Sequence, residues 1–129
     1  MIGRHNAQAA VEFALTMPLL MLLLLGILDA GRAVVAAVSI DNAAREGARY
    51  IAVHFNDGTC ASPNCQTEAR QVVLNSALAL DSGQLSSTVT IAGGNASILL
   101  SYPFQPVAPL ITSVFGTPVL TTTSSMRIR

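Results

Sequence analysis

The chain contains no lysine: its seven basic residues are all arginine, and seven acids balance them to a net charge of zero. With no basic run, it is not a strongly basic nucleic-acid binder. Charge of either sign is scarce, 11% of the 129 residues against roughly 25% in an ordinary soluble domain. Cysteine is scarce too, at two residues, and a metal site on them would want two further ligands, for which His5 lies near the N-terminus and His54 stands alone. No glycine-rich phosphate loop is present, no serine or cysteine has a plausible histidine partner, and no carboxylate pair occurs in one pocket-forming segment. These absences point away from an enzyme, with no cofactor, no metal and no small-molecule substrate expected.

What the chain has is apolar surface, 51% of its residues. Between Glu12 and Asp29 lie sixteen residues without a charge, Phe13 to Leu28. A bilayer core needs about 20 apolar residues, so Ala7 to Leu28, interrupted only by Glu12, is long enough to cross one. The length allows one domain at most, and the roughly 100 residues left over suit a small core.

The apolar pattern does not stop at the membrane's edge. Asp29 and Arg32 are spaced to pair on a helix face, as are Asp41 and Arg45, and Glu46 and Arg49. Between these pairs, Ala33 to Ile40 resumes an apolar helical pattern, and the first turn signal is Asn56-Asp57-Gly58. The pattern predicts one helix from about Gln8 to about Phe55, roughly 70 Å long at 1.5 Å per residue. Residues 8–28 would lie in lipid and 29–55 outside it. On the outer half Ala33, Ala37, Ala44 and Ala48 recur beside Gly47. Small residues so placed admit a second backbone, although alanine is also the best helix former. Gly47 favours packing, because a glycine inside a helix costs about 1 kcal/mol relative to alanine.

Three readings fit the N-terminus: a cleaved secretory signal, a permanent anchor, or a prepilin-type leader ahead of an anchor. The apolar stretch is longer than the roughly 7–15 residues of a signal peptide, and Glu12 precedes it. An acid in hydrocarbon is by default a functional candidate. The plainer alternative is that Glu12 and Asp29, about 25 Å apart along a helix, mark the two edges of one span. Pro18 removes a backbone hydrogen bond, so a kink or local unwinding near Ala14–Pro18 is expected.

Two motifs carry a resemblance. Ala7-Gln-Ala-Ala-Val-Glu-Phe-Ala-Leu15, followed by Pro18 and a leucine run, resembles the start of TadE-like pseudopilins, minor subunits of the tight-adherence (Tad/Flp, type IVb) pilus system. Asn42-Ala-Ala-Arg-Glu-Gly-Ala-Arg-Tyr50 resembles that family's segment after the membrane helix, with Arg45, Glu46, Gly47, Ala48 and Arg49 as a helix-packing motif. The resemblance implies a precursor cut by a prepilin peptidase on the cytoplasmic side, leaving glutamate at the fifth mature position. Counted back from Glu12, the bond lies between Ala7 and Gln8, with 1–7 as leader; Ala7 stands where glycine is usual. It further implies an inner-membrane protein with its C-terminal domain in the periplasm and, as partners, other pilins and pseudopilins and the Tad secretion machinery. Glu12 would then meet the new α-amino group on Gln8 of a neighbouring subunit.

Residues 56–129 form the small outer domain. Cys60 and Cys65 flank a loop, and an oxidising compartment would join them in a small ring worth about 2 kcal/mol. Thr67 to Leu80 places Val73, Leu74, Ala77 and Leu78 on one face of an amphipathic helix ended by Asp81-Ser-Gly83. Thr88 to Ala92 and Ala96 to Tyr102 alternate around Gly93-Gly94-Asn95 as a hairpin, and Pro118 to Arg129 reads as a third strand with a Ser/Thr-rich face. Ala108 to Phe115 is a short helix or an apolar loop, its Leu110–Phe115 part read as core, and His54 a solvated helix-end residue. The expected fold is α+β: a long transmembrane helix extending out of the membrane, then one amphipathic helix and about three antiparallel strands. The expected function is a structural, non-catalytic pilus-assembly subunit; the rivals are a signal-cleaved periplasmic accessory or binding protein and a single-pass anchor.

Overall fold

The computed structural model describes residues 3–56, 63–78, 80–108, 112–113 and 116–128, the side chains of residues 3–6, 56 and 63 excepted. Its elements are α1 (Gly3–Asn56), α2 (Pro63–Ser76), β1 (Ser86–Ala92), β2 (Asn95–Pro103) and β3 (Val119–Arg127). The fold is α+β, a long apolar N-terminal helix with a small head built on its far half.

α1 runs for 54 residues and passes through Pro18 without a break in the helix. It begins at Gly3, five residues before the expected start, because no turn-forming cluster interrupts the residues ahead of Gln8. Its two halves have different surroundings. From Val11 to Leu28 its large apolar side chains are exposed all round the helix. From Ala36 onward one stripe is buried: Ala36, Ile40, Ala43, Ala44, Gly47, Ala48, Ile51 and Ala52, at the three- and four-residue spacing of a single helix face.

That stripe is covered by the chain's own head. α2 runs antiparallel to it, Gly47 lying against Val73 and the Tyr50 hydroxyl donating to Glu68 Oε2 at 2.9 Å. The three-stranded antiparallel sheet, in the order β1-β2-β3, closes the other side. The pairings Ile98↔Val89, Ile98↔Ser124 and Leu100↔Thr122 put Val89, Ile98, Leu100 and Ser124 on the inner face. Ile51, Ile98, Leu100 and Val73 are the largest fully buried side chains, each contributing about 1.5–3 kcal/mol through burial. The outer face carries the serine and threonine hydroxyls expected of a strand pattern with one wetted side.

The hairpin matches its sequence closely. Gly93 and Gly94 both have positive φ, at 59° and 74°, and join Ala92 directly to Asn95, the two-residue turn whose twist suits antiparallel strands. α2 does not match: it spans Pro63–Ser76 where Thr67–Leu80 was expected. Pro63 is its first residue, a favoured place for proline. Cys65 is therefore helical and buried, not in a loop, while Leu78 lies beyond the helix and is 89% exposed. Asp81 shapes the following turn by accepting from Gly83 N at 3.0 Å. His54 is half-buried and stacks on Tyr50 with ring centroids 4.0 Å apart, so it is not a freely solvated end.

A Cβ on Gly47 would sit 2.5 Å from Val73 Cγ2 and 2.6 Å from Ile98 Cδ1. Overpacking of about 1–3 kcal/mol would exceed the helix-propensity gain of about 1 kcal/mol. Gly47→Ala should therefore lower the head's stability in denaturant titration of the detergent-solubilised chain, and Val73→Ala should recover part of the loss in the double variant.

Candidate functional site

The site is the stalk and its junction with the head. Along the stalk the large apolar side chains from Val11 to Leu24 are mostly exposed, and Phe13, Leu15 and Leu19 are 63%, 73% and 75% exposed. An apolar surface of that extent is stable only against lipid or partner helices. α1 is the one helix among the described residues long and apolar enough to cross a membrane.

Ala7 and Gln8, flanking the expected processing bond, both lie within α1 and are exposed. Glu12 is exposed one turn further on: it accepts from Gln8 Nε2 at 3.2 Å through Oε1, and its carbonyl accepts from Thr16 Oγ1 at 3.0 Å. Beyond these local contacts the head does not reach it. The helix-packing motif lies far away, about 50 Å along α1. Within it Gly47 and Ala48 are buried, while Glu46 pairs with Arg49 at 2.9 Å on the outer side. That contact lowers the pKa of Glu46 and raises that of Arg49. Arg45 pairs with Asp41 at 2.7 Å, and Asp41 also accepts from Thr122 Oγ1 at 3.2 Å, tying α1 to β3. These exposed pairs are screened by solvent and contribute little to stability. The small residues thus serve the chain's own core, and Ala37 alone of the expected stripe is exposed. Cys65 is buried and is not a free thiol; Cys60 lies outside the described residues, as do Leu110, Ile111, Val114 and Phe115.

The least expected residue is Asp29. Sequence alone marks it as a span edge and a partner for Arg32, and that 3.0 Å ion pair is present. Its main partners are 78 and 79 residues away: Val107 N donates to Oδ1 at 2.9 Å and Ala108 N to Oδ2 at 2.8 Å. The side chain is 4% exposed. The Ala108 and Val107 amides hold its pKa below the ordinary carboxylate value against the opposing effect of burial, and Arg32 adds to the lowering. Arg32 also donates to the Gln105 carbonyl at 3.4 Å and lies 5.5 Å above the Phe104 ring. The carboxylate thereby fixes the β2–β3 connection to α1 at the residue where the uncharged run ends. Nothing in the local pattern around Asp29 signals a partner so distant.

Fold and site together define a protein with one candidate membrane-crossing helix carrying a small α+β head, and they fit a single-pass membrane protein. Residues 7–49, covering the first quoted motif and all of the second but Tyr50, match the model of the TadE-like protein family, a match that points to a Tad pilus-associated protein. No curated protein and no solved structure matches the chain.

Because the folded-state pKa of Asp29 is lowered, its stabilising contribution is complete above the ordinary carboxylate range and is lost as pH falls through the lowered value. Amide exchange at Val107 and Ala108 should therefore quicken on acidification below that range, beyond the intrinsic pH dependence of exchange. Asp29→Asn, which keeps the size but not the charge, should quicken it already at neutral pH.

Proposed function

We propose that the protein is a minor pseudopilin subunit needed to assemble a Tad (Flp, type IVb) adhesive pilus, acting by helix packing and not by catalysis. The observation that carries this reading is an apolar stalk exposed on all sides, with a lone carboxylate near its inner end, inside the TadE-like segment. A prepilin peptidase cuts between Ala7 and Gln8 on the cytoplasmic side of the inner membrane, and the head stands in the periplasm. The exposed position of Ala7 and Gln8, clear of the head, supports access to that bond.

Cutting creates an α-amino group on Gln8. In an assembly, Glu12 of one subunit meets that amine on a neighbour and sets the stagger between them. The Glu12 carboxylate is exposed on the stalk and lacks any cationic partner among the described side chains, which suits a partner supplied from outside. Once both groups are buried, loss of either leaves an unpaired charge costing several kcal/mol. Pro18, exposed in the lipid-facing half, is the point where the stalk adjusts its tilt on leaving the bilayer. Cys60 and Cys65 form a small disulfide ring in the oxidising periplasm, a pairing favoured by Cys65 not being a free thiol.

N-terminal mass analysis of membrane and sheared-filament fractions tests the reading. A start at Gln8 is expected. A start near Val34 would identify a secreted accessory protein and an intact Met1 a plain anchor. Glu12→Leu should insert normally yet abolish incorporation or piliation, read by filament yield; normal pili from this variant would refute the register role.

A further inference from the structure

The head meets α1 from Asp29 upward, so its lower end lies where the stalk's uncharged run stops. A groove of about 570 Å³ opens there, floored by Ile27, Leu28 and Val35 of α1 and walled by Leu80 and Phe104 of the head. Two members of the uncharged run, Ile27 and Leu28, are thus also part of the head's underside. Beside the groove Val107 is 61% exposed, although its backbone is tied down to Asp29. Val34 and Val35, one to two turns above Asp29, are 63% and 57% exposed. No charged residue occurs from Ser82 to Met126, so β1, β2, both connections and all of β3 except its last residue, Arg127, are neutral. The charges at the groove, Arg32 and Asp81, are of opposite sign, and Arg32 leans on the Phe104 ring.

We infer that this lower end of the head is a bilayer-docking surface, with Val107 and the groove between Leu28 and Phe104 seated in the headgroup–acyl boundary of the membrane that α1 crosses. The inference rests on the reading of α1 as a membrane span. Three features select lipid as the occupant. The surface is continuous with the lipid-facing stalk, the Asp29 clamp fixes its height at the end of that stalk, and its neutral segment loses no ion hydration on entering the interface. Arg32 and Asp81 complement the phosphate and the ammonium of a zwitterionic headgroup. Covalent attachment to the span keeps the surface at the interface, so no independent membrane affinity is needed. The head would then be held upright on the bilayer, not swinging freely on its stalk.

Spin labels on Leu20→Cys, Val107→Cys and Thr123→Cys in the full chain, reconstituted in phosphatidylethanolamine–phosphatidylglycerol bilayers, test this by collision with oxygen and with a water-soluble nickel chelate; the unsubstituted chain is the blank. The Leu20 label should read the hydrocarbon, the Val107 label a depth within about 5–10 Å of the headgroup–acyl boundary, and the Thr123 label, on the outer sheet face, bulk water. A Val107 label as aqueous as that at Thr123, with the Leu20 label still in lipid, overturns the docking and leaves the span standing. A Val107 label shielded from both reagents means that a second copy covers the surface, and overturns it too. A Leu20 label in water removes the span itself and the docking with it.

Discussion

A fourteen-residue helix and three short strands do not enclose a core by themselves; in this protein the far half of α1 is the missing wall. The contact that makes this possible is the close approach at Gly47, where the absence of a side chain lets Val73 and Ile98 press against the helix backbone. Ala43, Ala44 and Ala48, all fully buried, extend the same flat strip above and below it. The head is therefore not a domain tethered to a stalk. It is folded on the stalk, and any force or tilt applied to α1 is transmitted to it through a packed interface.

The same helix must satisfy two solvents. In its first half the large apolar side chains face outward, and the one carboxylate, Glu12, accepts from its helical neighbour Gln8. In its second half the charges sit on the outer face as local pairs, Asp41 with Arg45 and Glu46 with Arg49, while the inner face is small and apolar. Asp29 stands at the change of regime. A buried carboxylate is tolerable only when its oxygens are satisfied. Here two backbone amides and a guanidinium satisfy them, and among the described residues no buried side-chain polar atom lacks a partner. The carboxylate's partners are supplied by the β2–β3 connection, so the end of the stalk and the base of the head are joined by one side chain.

Much of this was legible in order along the chain. The uncharged run fixed the stalk, the i,i+3 and i,i+4 acid–arginine spacings marked three pairs that all form, and the Gly93-Gly94 step set the hairpin turn and register. These are local patterns, governed by helical and strand periodicity and by glycine's access to positive φ. α2 was displaced by four residues because Pro63 reads equally as a loop residue or a helix start, and only its packing on Gly47 and Tyr50 selects the second. His54 differs from a solvated helix end because Tyr50, one turn back on the same helix, stacks on its ring and half-buries it.

The sequence by itself determined the stalk, the hairpin and the pairing of charges, because each depends on neighbours within a turn or two of helix or across a two-residue loop. Only the tertiary structure decided which partner the small-residue strip receives and what Asp29 holds. A strip of alanine and glycine fits a neighbouring subunit and an internal strand equally well, and the choice is made by which surface the chain's own connections bring within reach. An acid at the end of an apolar run likewise has no preference for amides 78 residues downstream until the sheet forms and delivers them.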